Sequence, residues 1–173
     1  MYKQVRTASE LDVFYSIVDF VWTEKSYARE RFEGTDKFLL KAEDSKWGAV
    51  LEASPLENSD PIIRELFSPY IKDLSVVDIP TIAVLPQYRG RLGTKAISLS
   101  VKYCEERGYE HVISVNNPVF FRALKITYKM PLTRIDQAIN YKGSPFIPAI
   151  LHISRIYQNK SDYPWLFYPQ EIN

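Results

Sequence analysis

The residues best placed to do chemistry lie in one run, Ile82-Ala83-Val84-Leu85-Pro86-Gln87-Tyr88-Arg89-Gly90-Arg91-Leu92-Gly93-Thr94. An apolar stretch enters it and a periodic, amphipathic stretch leaves it, which predicts a strand-to-helix turn. The first turn of a helix carries backbone N–H groups with no partner inside the helix, and such groups can hold a phosphate. Gly90 and Gly93 permit close approach of backbone to a ligand, while Arg89, Arg91 and Lys95 add positive charge. Short glycine patterns are weakly specific, so a plain solvated turn with a basic rim competes with this reading. The run has neither the Gly-x-Gly-x-x-Gly of a dinucleotide fold nor the Gly-Lys-Ser/Thr of a nucleoside triphosphate site.

Other reactive side chains are sparse. Cys104 is the only cysteine and falls on an apolar helical stripe, which favours a core role over a nucleophilic one. His111 and His152 are isolated in sequence and do not make a metal site. Trp22, Trp47 and Trp165 read as packing residues. The 22 Lys and Arg balance 21 Asp and Glu, so no large positive field supports a nucleic-acid partner. No run approaches the ~20 apolar residues of a membrane span and no signal peptide is evident, so the expected location is the cytoplasm.

The elements that position the turn follow from periodicity. Tyr2 to Arg6 reads as an opening strand, and Leu11, Phe14, Ile17, Val18 and Val21 form one stripe of a helix capped by Ser9. A second, polar helix is expected from Lys25 to Arg31, ended by Gly34. Lys37 to Lys41 and Trp47 to Glu52 read as a hairpin turning at Glu43-Asp44-Ser45. Ile62 to Phe67 predicts a short helical turn. Val76 to Leu85 is an apolar strand in which Pro80, lacking an N–H, requires a bulge or irregular edge. Thr94 to Arg107 is a helix stopped by Gly108, and His111 to Val115 a strand, giving a βαβ-like unit with local parallel pairing. A short helix from Val119 to Lys125 and strands at Tyr128 to Arg134 and Ile147 to Ile156 follow. A turn at Tyr141-Lys142-Gly143 separates these last two strands, and an aromatic tail ends the chain. At 173 residues, one domain spanning 1–173 is expected.

Val84, Pro86, Tyr88, Arg89 and Gly90 resemble the pantetheine-binding loop of the GCN5-related N-acetyltransferase family, commonly Val-x-Pro-x-Tyr-Arg-Gly-x-Gly-x-Gly. The helix closing on Glu106-Arg107-Gly108-Tyr109 is similar as well. Between Gly90 and Gly93 only Arg91 and Leu92 remain, one residue fewer than the family run. The resemblance implies an α/β fold with a mixed six- or seven-stranded sheet and a splayed central strand pair, expected to separate after Val84. It implies that Val84, Leu85, Arg89, Gly90, Arg91, Leu92, Gly93, Thr94 and Phe121 contact acetyl-CoA or acyl-CoA as cosubstrate, with no permanently bound cofactor. A backbone N–H near Leu85 would stabilise the oxyanion as an amine attacks the thioester.

The same resemblance directs attention to proton transfer. An attacking amine must be neutral, and Asp78 and Glu52, on adjacent predicted strands, are the candidate bases. A plain solvated carboxylate at a strand end is the competing reading for each. Family members often carry an acidic tyrosine in the short helix after the next strand, where this chain has Phe120-Phe121-Arg122-Ala123-Leu124-Lys125-Ile126. Phe121 stands at the tyrosine position and has no proton to donate. Tyr128 is the nearby alternative.

The expected function is therefore transfer of an acetyl or longer acyl group from coenzyme A to a small-molecule or protein amine. Phe120 to Arg155 also resembles the branch making N-acyl amino acids or acyl-homoserine lactones, which implies a long acyl chain and an acyl carrier protein as alternative donor. The missing tyrosine keeps a noncatalytic acyl-CoA sensor open, and a purely structural α/β protein competes with both. A homodimer is an open option.

Overall fold

The computed structural model describes residues 1–172. Strand β1 (Tyr2–Gln4) leads into helix α1 (Ala8–Glu24), then the antiparallel pair β2 (Asp36–Lys41) and β3 (Trp47–Pro55). Helix α2 (Pro61–Phe67) precedes β4 (Val76–Val84), α3 (Arg91–Arg107) and β5 (His111–Asn116). Helix α4 (Pro118–Arg122) runs into a single π-turn at Ala123–Thr127, and β6 (Leu132–Arg134), β7 (Ile139–Tyr141), β8 (Ser144–Leu151) and α5 (Ile153–Gln158) complete the order. No helix among the described residues is long and apolar enough to cross a membrane.

The expected mixed sheet is present. Seven strands follow one path, β1-β2-β3-β4-β5-β8-β6, and β7 adds an eighth along β8. Among the strands of the described residues, only β4 and β5 pair in parallel, as a strand–helix–strand crossover requires. Helices cover both faces. On one, α3 packs Leu92, Ala96, Ile97 and Cys104 against Leu51, Val77 and Ile79; on the other, α1 packs Phe14, Ile17 and Val18 against Leu39, Val50 and Ala83.

Three local expectations are corrected. Helix α1 is capped by Thr7 rather than Ser9: the Glu10 N–H donates to Thr7 Oγ1 (3.2 Å) and the Thr7 N–H to the Glu10 carboxylate (3.0 Å). That reciprocal pair satisfies more orphan donors than a lone hydroxyl. Lys25 to Arg31 is irregular, because its side chains serve tertiary partners instead of a helical face: Glu30 reaches Lys142 at 3.3 Å and Arg31 stacks on Tyr15 at 4.2 Å. The last strand stops at Leu151, and Ile153 and Ile156 instead bury one face of α5. His152 accordingly caps that helix rather than continuing a strand. The aromatic tail packs on the α3 side and pairs with the start of the chain, where the Tyr2 N–H donates to the Gln170 carbonyl (2.8 Å).

Candidate active site

The sheet opens at its centre. Strand β4 pairs with β5 only at Val76, Val77 and Asp78, opposite His111, Val112 and Ile113. Beyond that point β4 stays on β3 and β5 stays on β8. The separation therefore begins after Asp78, earlier than the expected Val84. Its cause is local: Ile79 and Pro80 together oppose the single step between Glu52 and Ser54, a bulge that bends β4 where proline removes a donor.

The bulge also decides which backbone groups are open. The Leu85 N–H donates to the Gly48 carbonyl (2.9 Å), so it is spent on β3, and any open donor near Leu85 must come from a neighbouring residue. Antiparallel alternation then turns the N–H groups of Ile82 and Val84 to the opposite edge, where no strand pairs with them. The Ile82 and Val84 side chains face the α3 side of the opening.

Immediately beyond, Pro86–Tyr88 makes one 3₁₀ turn and Gly90, at φ +91°, starts α3. No side chain among the described residues caps this end of the helix. The turn is braced from beneath: a Cβ on Gly48 would lie 2.3 Å from the Tyr88 ring and 2.8 Å from Leu92. The Tyr88 hydroxyl donates to Asp44 at 2.7 Å. A Cβ on Gly93 would meet nothing within 4 Å, so the backbone there borders open space. Both arginines of the turn are engaged in ion pairs. Arg89 pairs with Glu24, and Arg91 with Glu43 at 2.5 Å. Lys95, half-buried in the first turn, forms no salt bridge among the described residues.

Thr94 donates to the Gly90 carbonyl (3.2 Å), and its Oγ1 lies 3.0 Å from the Tyr128 hydroxyl. Tyr128 thus reaches the entrance of α3, a placement that follows from the π-turn preceding it. Phe121 is half-buried on α4, packed against the α3-side core.

The other face of the opening is built from side chains. Glu52 is buried and fully engaged: it accepts from Thr35 (2.7 Å) and Thr81 (2.9 Å) and pairs with Lys37 at 3.1 Å. Asp78, only 3% exposed, lies on the same face, and burial pushes its carboxyl up to about 7. The Ser59 hydroxyl and the Lys142 ammonium pull it down; Glu52 and Asp60 push it further up. Ser59 Oγ is buried close enough to Asp78 to lower that pKa, yet it makes no hydrogen bond within 3.5 Å among the described residues. Lys142, on the β7–β8 turn, lies 4.0 Å from the centre of the Trp22 ring, and burial lowers its pKa against the opposing pull of Glu30, Glu52 and Asp78. In the sequence Lys142 stands only in a turn, and no local pattern marks the aromatic surface that covers it.

Cys104 is buried, which pushes its thiol up to about 12 and suits a core role. The His111 and His152 rings meet edge to face at 5.4 Å, and no cluster of three metal-ligating residues occurs among the described residues.

No family model matches this sequence, and no curated protein sequence matches it. Solved structures do match. The N-acyl amino acid synthase FeeM from uncultured soil microbes is similar at 12% identity and a TM-score of 0.71, over 88% of this chain and 90% of that one. The CoA-dependent acyl-homoserine lactone synthase BjaI is similar at 13% and 0.67, over 100% and 93%. A chimeric spermidine N-acetyltransferase, SpeG, from Vibrio cholerae and hSSAT is similar at 9% and 0.60, over 91% and 99%. The chain therefore has the GCN5-related N-acetyltransferase-like fold these proteins share.

Proposed function

We propose that residues 1–173 form one acyl-CoA-binding domain that moves an acyl group from coenzyme A to an amine by direct attack. The observation that carries this reading is the opened β4 edge. It presents the N–H groups of Ile82 and Val84 beside the uncapped start of α3. The extended pantetheine arm of coenzyme A fits such an edge as an added strand would, and the diphosphate of coenzyme A fits the N–H groups from Arg91 to Gly93. In the reaction the amine nitrogen bonds to the thioester carbonyl carbon. The developing oxyanion accepts from the β4 edge, the C–S bond breaks, and the thiolate leaves.

Asp78 is the better base of the two carboxylates. Both Glu52 oxygens are held by partners, whereas Asp78 titrates near neutrality and can take the proton lost by the amine, directly or through water. Glu52 contributes fixed negative charge that keeps Asp78 basic. Tyr128 lies at the diphosphate end, so it is not assigned as the acid, and water protonates the departing thiolate.

A second reading takes a long acyl chain, with an acyl carrier protein as donor and an amino acid or homoserine-type acceptor. The apolar lip of Val119 and Ile126, 81% and 60% exposed at α4 and its π-turn, favours it. Native mass spectrometry of gently purified protein, followed by thiol release over an amine panel, tests both readings. Retained acyl-CoA and amine-dependent thiol release support the first, and a retained long-chain carrier supports the second. Bound coenzyme A without release from any amine leaves only a sensor, and no thioester binding at all rejects the site.

A further inference from the structure

We infer that the C-terminal segment from Tyr163 to Tyr168 belongs to the donor site, with Trp165 positioning Tyr128 so that its hydroxyl contacts the diphosphate of the bound donor. This rests on the donor reading above and adds two residues that the loop motif does not contain.

The chain of contacts is continuous. The Trp165 indole N–H donates to the Tyr128 carbonyl at 2.9 Å, and the two rings meet edge to face at 5.2 Å. Tyr163 backs Trp165 with a second edge-to-face contact at 5.9 Å. The Thr94 hydroxyl proton is spent on the Gly90 carbonyl, so in the 3.0 Å contact between the two hydroxyls Tyr128 is the donor and Thr94 the acceptor. The Tyr128 proton is therefore aimed at the first turn of α3. Arrival of an anion there lets the same O–H donate to a charged phosphate oxygen, which makes a stronger bond than a neutral hydroxyl does.

The segment is held independently of this contact. The Phe167 N–H donates to Ser98 Oγ (3.4 Å), Tyr168 pairs with Glu105, and the Ile172 N–H donates to the Tyr2 carbonyl (2.9 Å). Removing the indole N–H thus leaves the tail in place and frees only Tyr128. The preceding π-turn makes that freedom matter, since Tyr128 is anchored behind by one backbone bond, to the Ala123 carbonyl at 3.0 Å.

Isothermal titration of the full chain with coenzyme A and with pantetheine, which lacks the diphosphate, tests the inference. Tyr128→Phe is expected to weaken coenzyme A about tenfold, the scale of one hydrogen bond to a charged group, and to leave pantetheine within about twofold. Trp165→Phe is expected to weaken coenzyme A roughly three- to fivefold, again sparing pantetheine, and to raise KM for acyl-CoA with kcat unchanged. Equal losses for both ligands, or unchanged coenzyme A affinity in both variants, overturn the inference while the donor reading stands. Failure of the parent protein to bind either ligand overturns both. If Trp165→Phe does not fold, Tyr128→Phe with its two ligands decides alone.

Discussion

The two faces of the central opening are built from different materials. On the α3 side the open polar groups are backbone N–H donors at Ile82, Val84 and the start of α3, bordered by open space at Gly93. On the α1 side they are side chains, Glu52, Asp78 and Lys142, buried and interlocked by charge. A phosphate or thioester keeps its charge pattern at any working pH, and fixed dipoles suit it. An amine must lose a proton, which calls for a titratable group near neutrality. Backbone donors also tolerate side-chain change, whereas a buried carboxylate depends on every charged neighbour. The first face should therefore respond to bulk and the second to charge.

The largest effect is expected from Asp78→Asn. Loss of a general base lowers kcat roughly 100-fold or more, and the parental rise in rate with pH through about 7 disappears from the pH–rate profile. Stability should move the other way. The Asp78 carboxyl titrates near 7 when folded against an ordinary 3.8, so the folded state holds a proton that the unfolded chain has released. Stability from this group is full below the unfolded value and is lost as pH rises between the two. Asp78→Asn should therefore melt higher than the parent at pH 8, and the gap should close near pH 4. A parental rate and pH profile in the variant would transfer the proton to water or to Glu52.

Next comes Gly48→Val. Its Cβ cannot coexist with Tyr88 and Leu92 where they stand, so the turn must shift. A stability loss of about 1–3 kcal/mol and a coenzyme A affinity loss beyond about tenfold are expected by denaturation and calorimetry. Gly93→Glu separates binding from folding more cleanly. A side chain there meets open space, so the fold should persist while negative charge beside the phosphate weakens coenzyme A about tenfold. Unchanged affinity would remove the turn from the site. The smallest effect is expected from Phe121→Tyr, which restores a hydroxyl where the family resemblance leads one to look for it. A coenzyme A thiolate leaves without a dedicated acid, so turnover should change by less than about tenfold, under about 1.4 kcal/mol. A hundredfold gain would reinstate a general acid at this position.

The turn was legible from residues 82–94 because everything it needs is local. Apolar run, Pro86, Gly90 and amphipathic helix are contiguous, and unpaired N–H groups at a helix start follow from helix geometry alone. Pro80 likewise announced its bulge, since a missing donor has the same consequence in any sheet. The Thr7–Glu10 capping box is equally visible as a spacing, but Ser9, the hydroxyl next to Glu10, competes with it in sequence. By contrast, which N–H groups on β4 stay open depends on the register against β3, where Leu85 meets Gly48. The raised pKa of Asp78 could not be read from its neighbours in sequence. Its shift comes from loss of water and from charges on Glu52, Asp60 and Lys142, brought in by other strands and loops. The grouping of Thr94, Tyr128 and Trp165 joins residues 34 and 37 positions apart. Spacing governs what one segment can form by itself, while desolvation and hydrogen bonding between distant segments exist only once the chain has closed around them.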